Sequence, residues 1–220
     1  MNRFLAIAAH DIRSPLASIK SGLEYTVDQK EYDDDFLKIL ISAADSSISY
    51  STNILRLAQS GFKKLKPNLE KINTHHLINK IVSILDIRAK EKEISIKVRS
   101  NCKEVSLNAD PVLFEQALLN VINNSIKFSP LKGEIFVESS RYEDYFEVTI
   151  IDQGSGIDNE HINNIKDAYQ TGKKNENTGF GLGLYIVNLI MDAHNGKFYI
   201  QSPISASGTG TMIKLSFPVN

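Results

Sequence analysis

The sequence predicts an α-helical hairpin that pairs with a second copy into a dimeric four-helix bundle, followed by an α/β two-layer sandwich. Leu5, Ala9, Ile12, Leu16, Ile19 and Leu23 alternate steps of four and three, which is the seam of a coiled coil. Beyond Pro67 the pattern changes, and helix-period runs mix with short alternating runs of strand character. Between the two, Gly61-Phe-Lys-Lys-Leu-Lys-Pro67 reads as a linker and helix stop, so the expected domains are residues 1–66 and 67–220.

The first helix covers residues 2–26, an acidic turn follows over 28–35, and a second helix runs over 33–60. Its inward positions are Phe36, Leu40, Ala44, Ser47, Ser51, Leu55 and Ala58. A two-helix hairpin with a seam on each helix cannot cover both by itself, so a homodimer is expected. In the second domain Thr74 is placed as the cap of a helix running to Ala89. Residues 94–99, 134–140, 145–151, 197–201 and 211–218 read as strands, Pro111 starts one helix, and residues 182–193 form another. Helices clustered with a run of antiparallel strands suit a two-layer sandwich. Residues 158–178 include the polar run Gln170-Thr-Gly-Lys-Lys-Asn-Glu-Asn-Thr178, which reads as a lid over a bound ligand.

Composition narrows the function classes. One cysteine, Cys102, excludes an internal disulfide, and a formal charge of -1 gives no case for nucleic acid or a lipid surface. No apolar run reaches bilayer length and no signal-peptide pattern opens the chain, so a cytoplasmic location is expected, with the chain free to be the core of a longer protein. His75, His76, His161 and His194 lack partners at zinc spacing.

Three motifs carry chemistry. Asn120, Asn123, Asn124 and Lys127 share one face of a helix otherwise covered by Leu118, Leu119, Val121, Ile122 and Ile126. Neutral oxygen ligands suit a hard cation also held by phosphates, and the lysine adds a point charge, so the stripe reads as a magnesium–nucleotide site; a solvated helix face is the competing reading. Downstream lie Asp152-Gln-Gly154-Ser-Gly156, after a strand, and Gly179-Phe-Gly181-Leu-Gly183-Leu184, at the start of a helix. Such glycines admit close backbone approach, and a helix start offers amide hydrogens to phosphate. Neither is a dinucleotide fingerprint or a Walker loop. Near the amino terminus, His10, Asp11 and Ser14 lie off the seam, within roughly a hundred degrees of one another. An imidazole beside a carboxylate is arranged as a nucleophile, because Asp11 fixes the tautomer and raises the basicity of the other nitrogen. Pro15 has no amide hydrogen to donate to the Asp11 carbonyl, so a kink is expected one turn past His10.

The order of asparagine helix, Asp-x-Gly-x-Gly and Gly-x-Gly-x-Gly-Leu resembles the N, G1 and G2 boxes of the Bergerat-fold ATPases. The run from Phe4 to Ile19 around His10, Arg13 and Pro15 is similar to the H box of sensor histidine kinases. Hydrolysing members of that superfamily carry a glutamate four residues before the magnesium asparagine; here that position is Asn120, which favours transfer over hydrolysis. The resemblance implies ATP and Mg2+ as cofactors, with Asn124 and Asn120 toward the metal and Asp152 receiving the adenine amino group. It places Lys127, Gly154, Gly156, Gly179, Gly181, Gly183 and Leu184 around the nucleotide. His10 is then the phosphoryl acceptor, oriented by Asp11, and the phosphoryl group passes to an aspartate of a response regulator. Ser14 stands where the family's phosphatase pattern has threonine or asparagine, which weakens an expectation of phosphatase activity. The phenylalanines of the usual F box are absent, with only Ile165, Ala168 and Tyr169 near them. A Bergerat-fold ATPase or serine kinase, or a phosphotransfer scaffold without kinase activity, are the alternatives.

Overall fold

The computed structural model describes residues 13, 16–27, 36, 37, 40, 41, 44, 47, 48, 51, 65–102, 105–158, 162, 182–206 and 208–219. The chain forms two compact units. In the first, residues 16–27 are helical and Gly22 packs so closely on Leu40 that a side chain there would collide with it. Tyr25 and Phe36 add a tilted ring contact at 5.8 Å. Leu40 and Ser47 are buried and Phe36, Ala44 and Ser51 half-buried, whereas Ile41 and Ile48 face out, as the predicted inward stripe requires. Of the predicted seam, Leu16 and Leu23 stay 49% and 51% exposed.

The second unit contains β1 (Glu70–Asn73), α1 (Thr74–Glu91), β2 (Ser95–Ser100), β3 (Ser106–Ala109), α2 (Pro111–Phe128), β4 (Glu134–Arg141), β5 (Tyr145–Asp152), α3 (Leu182–Ala193), β6 (Lys197–Gln201) and β7 (Thr211–Pro218). The main sheet runs β2-β4-β5-β7-β6; only the β2–β4 pair is parallel. β1 and β3 form a separate antiparallel pair that the sequence reading did not contain. Each has four residues, too few for alternation to stand out from a loop.

Alternation does place the core. β7 buries every second residue, and Ile213, Leu215 and Phe217 join Ile135, Val137, Phe146, Val148 and Ile150 under the helices. From above come Ile78, Ile81 and Leu85 of α1, Phe114, Leu118, Val121 and Ile122 of α2, and Leu184, Val187, Ile190 and Met191 of α3. Each such side chain contributes about 1.5–3 kcal/mol of transfer free energy. β2 and β4 also carry the ion pairs Lys97–Glu134 and Arg99–Glu138, and β5 and β7 the pair Glu147–Lys214. The first two are exposed and stabilise little, whereas Glu147 is largely covered.

The helices are closed by particular side chains. Asn73, rather than the expected Thr74, caps α1 by accepting from the His76 amide at 2.9 Å; Thr74 instead donates its hydroxyl to the Val105 carbonyl. Asp110 caps α2 by accepting from the Val112 and Leu113 amides at 3.0 Å, with Pro111 where no amide hydrogen is needed. At the other end of α2, Lys92 donates to the carbonyls of Ile126, Lys127 and Ser129, a cation on the negative end of the helix dipole. Burial pushes the Lys92 pKa down. Among the described residues no helix is long and apolar enough to cross a membrane.

Candidate functional site

Asp110 and Pro111 start α2 in the register that puts Leu118, Val121, Ile122 and Ile126 into the core. The same register leaves Asn120 and Asn124 half-buried on the opposite side, with Lys127 exposed one turn on. The first turn of α3 lies against this face: a Cβ at Gly183 would stand 3.8 Å from Asn124 Nδ2 and 4.0 Å from Asn120 Oδ1. Those are ordinary contact distances, so no protein atom among the described residues demands glycine there. Leu184 is buried and anchors α3 in the core.

Asn120 Nδ2 is buried without a hydrogen-bond partner among the described residues. An orphaned buried donor costs about 1–3 kcal/mol, which a phosphate oxygen would recover. A half-turn of the amide presents oxygen instead. Two amides and a lysine therefore fit a hard cation shared with phosphates, the role expected of Asn124 and Asn120. Lys127 is exposed as a residue, yet partial desolvation of its ammonium, and then the nearby charge of Arg88, lowers its pKa, and its Nζ sits 5.0 Å from the Phe128 ring centre. Arg88 of α1 also reaches Asn123 Oδ1 at 3.5 Å, so a second cation flanks the stripe.

Asp152 ends β5 and is only 7% exposed. Its Oδ1 accepts from the Gly154 amide at 2.9 Å and its Oδ2 from the Ser125 hydroxyl at 3.0 Å. Burial pushes the Asp152 carboxyl above its ordinary value, opposed by hydrogen bonds from the Gly154 amide, the Ser125 hydroxyl and the Thr211 amide. At Gly154 a Cβ would come within 3.0 Å of both the Phe128 carbonyl oxygen and Asp152 Oδ1, so a side chain would force the loop off the end of α2. Gly156 has φ +80°, a left-handed turn that L side chains rarely adopt. The loop it turns is held by Ile157 N donating to Ser202 Oγ at 2.7 Å and Gly210 N donating to the Gly154 carbonyl at 2.7 Å.

The fold thus brings together Asn120, Asn124, Lys127, Asp152, Gly154, Gly156, Gly183 and Leu184. His10, Asp11, Ser14, Gly179 and Gly181, with the lid and F-box residues, lie outside the described residues. The sequence reading missed Arg88, Ser125, Ser202 and Thr211. Ser125 had a signal, a hydroxyl among apolar neighbours directly after Asn124; the other three reach the site only through the fold. His194, read as a helix-end residue, is buried, accepts from the Asp110 amide at 3.0 Å and lies 2.8 Å from the Ile190 carbonyl, so its ring bridges the end of α3 to the cap of α2.

The histidine kinase-, DNA gyrase B- and HSP90-like ATPase family model matches residues 109–220, and the His Kinase A (phospho-acceptor) domain matches residues 1–62. The chain is 28% identical to sporulation kinase A of Bacillus subtilis over 96% of its own length and 33% of that protein's. It is 27% identical to sensor histidine kinase ZraS of Escherichia coli over 100% of the chain and 46% of that protein, and 32% identical to sensor protein KdpD of Clostridium acetobutylicum over 99% and 24%. It therefore spans less than half of each of these relatives. Among solved structures, histidine kinase AdeS of Acinetobacter baumannii aligns over 96% of this chain and 98% of its own, with a TM-score of 0.71 at 19% identity. Histidine kinase ThkA, solved with response regulator protein TrrA, aligns over 99% and 61% with a TM-score of 0.73 at 18% identity, which supports the same fold. With an ATPase-family match over more than half its length and a phospho-acceptor domain ahead of it, the chain belongs to the sensor histidine kinases of two-component systems.

Proposed function

We propose that this chain transfers the γ-phosphoryl group of ATP to His10 and then passes it to an aspartate on a response regulator. The observation that carries the reading is the convergence of the Asp152–Gly154 loop, the Asn120–Asn124 face and the first turn of α3 in one unit, behind a phospho-acceptor domain. Asp152 offers a buried acceptor to the adenine amino group. Asn120 and Asn124 face the phosphates, and Lys127 supplies positive charge to them. Magnesium, held through Asn124 and Asn120, would neutralise charge developing on the transferred group. His10, oriented by Asp11, attacks in line, and its imidazole keeps the phosphoryl group until the regulator's carboxylate takes it. With Asn120 where a hydrolase would place its base, water has no activating carboxylate at that position, so transfer exceeds hydrolysis.

Two exposed leucines of the seam, Leu16 and Leu23, support a homodimer in which a second copy covers them. The regulator partnership is supported by the solved ThkA–TrrA complex, which shares this fold. A cytoplasmic site of action accords with the reaction's need for ATP. Incubation with γ-labelled ATP and magnesium should give label that is lost in acid and stable in alkali. His10→Gln should abolish it while ATP affinity is kept. Label persisting in that variant, or surviving acid as a serine ester would, refutes the assignment.

A further inference from the structure

Ser125 is 2% exposed, one residue beyond Asn124. A buried helical serine commonly turns its hydroxyl back onto the carbonyl four residues earlier. Here the hydroxyl donates outward to Asp152 Oδ2 at 3.0 Å, while the Gly154 amide takes Oδ1 at 2.9 Å. Thr211, opposite Asp152 in the β5–β7 register, supplies a third donor from its amide. An ionised carboxylate has about four lone-pair positions.

We propose that Ser125 is the residue that sets base selectivity through Asp152: with the two amides it fills three of the four acceptor positions and leaves one, so the pocket accepts a base carrying an N–H donor and rejects one carrying a carbonyl at the same place. The inference rests on the reading of Asp152 as the adenine contact. A 6-oxopurine turns an oxygen toward the remaining lone pair, and a carboxylate held at three points cannot rotate to relieve that repulsion. Ser125 also opposes the burial that drives the carboxyl toward its neutral form. Without the hydroxyl, Oδ2 takes up a proton more readily and can donate to the very oxygen it had repelled. Ser125 is therefore a positioning residue, acting through Asp152.

The test is binding of ATP, inosine triphosphate and purine riboside triphosphate, which lacks any 6-substituent, to the full chain and to Ser125→Ala. In the variant the preference for ATP over inosine triphosphate should fall about fivefold to tenfold, because the released carboxylate can turn and take up a proton, while the affinity for purine riboside triphosphate stays within about twofold. Its affinity for inosine triphosphate should rise as the pH falls. Ser125→Cys, close in shape but a poor donor, should follow the alanine variant. Equal weakening of all three nucleotides, or wild-type selectivity in the cysteine variant, overturns the proposal by assigning Ser125 to packing alone. A wild-type chain with no preference for ATP over purine riboside triphosphate overturns the Asp152 reading as well, which separates the two failures.

Discussion

Replacing Asp152 by asparagine removes one acceptor and adds two donors at a buried position of the site. In the wild type both carboxylate oxygens are engaged, Oδ1 by the Gly154 amide and Oδ2 by the Ser125 hydroxyl. The amide oxygen of asparagine will take the Gly154 side, because a backbone amide can only donate, while Ser125 can reverse and accept from the new Nδ2. The amide then faces adenine with a donor, against a donor on the base. The unpaired contact should cost about 1–3 kcal/mol of ATP affinity, roughly fivefold to 150-fold. GTP, which has no amino group at that position, should lose far less. Calorimetry with both nucleotides measures the difference, and an Asp152→Asn chain that prefers ATP over GTP by the wild-type margin would place the adenine pocket on another residue. The same variant tests the electrostatics. Burial holds the folded-state pKa of Asp152 above its unfolded value, so the folded protein binds that proton more tightly. The resulting stabilisation is full below the unfolded pKa and is lost as pH rises through the raised one. Urea midpoints should therefore carry a downward component with rising pH in the wild type that is missing in Asp152→Asn.

Asn124→Asp keeps a metal-binding oxygen but adds negative charge beside the triphosphate, so labelling should slow and its magnesium dependence shift, while purine selectivity stays; a titration of labelling rate against magnesium reads both. Leu16→Asp places a charge on the exposed seam, and sedimentation at micromolar concentration should convert a dimer into a monomer; a wild type that is already monomeric refutes the bundle. His194→Phe preserves a ring against Phe217, 5.5 Å away in the wild type, but leaves the Asp110 amide without its acceptor. It should lower unfolding stability by about 1–3 kcal/mol in denaturant titration.

The sequence by itself determined the elements that declare themselves by period. The asparagine face of α2 and the alternating strands β4, β5 and β7 follow from spacing alone, since one register puts Leu118, Val121 and Ile122 inside and Asn120 and Asn124 out. The order of the asparagine and glycine motifs carried the resemblance to the Bergerat-fold ATPases, because each motif is local in the chain. What only the tertiary structure decided are contacts between residues distant in the chain. Ser125 meets Asp152 across 27 residues, Arg88 meets Asn123 across 35, and His194 meets Asp110 across 84. A local pattern can mark one partner, as the glycine motif marks Asp152 and the stripe marks Asn123, but it says nothing of the other, so the fold alone supplies the neighbour. β1 and β3 belong to the same class: Ile72, Leu107 and Ala109 are buried through their pairing with each other, and four residues give too short a run for alternation to be seen before that pairing exists.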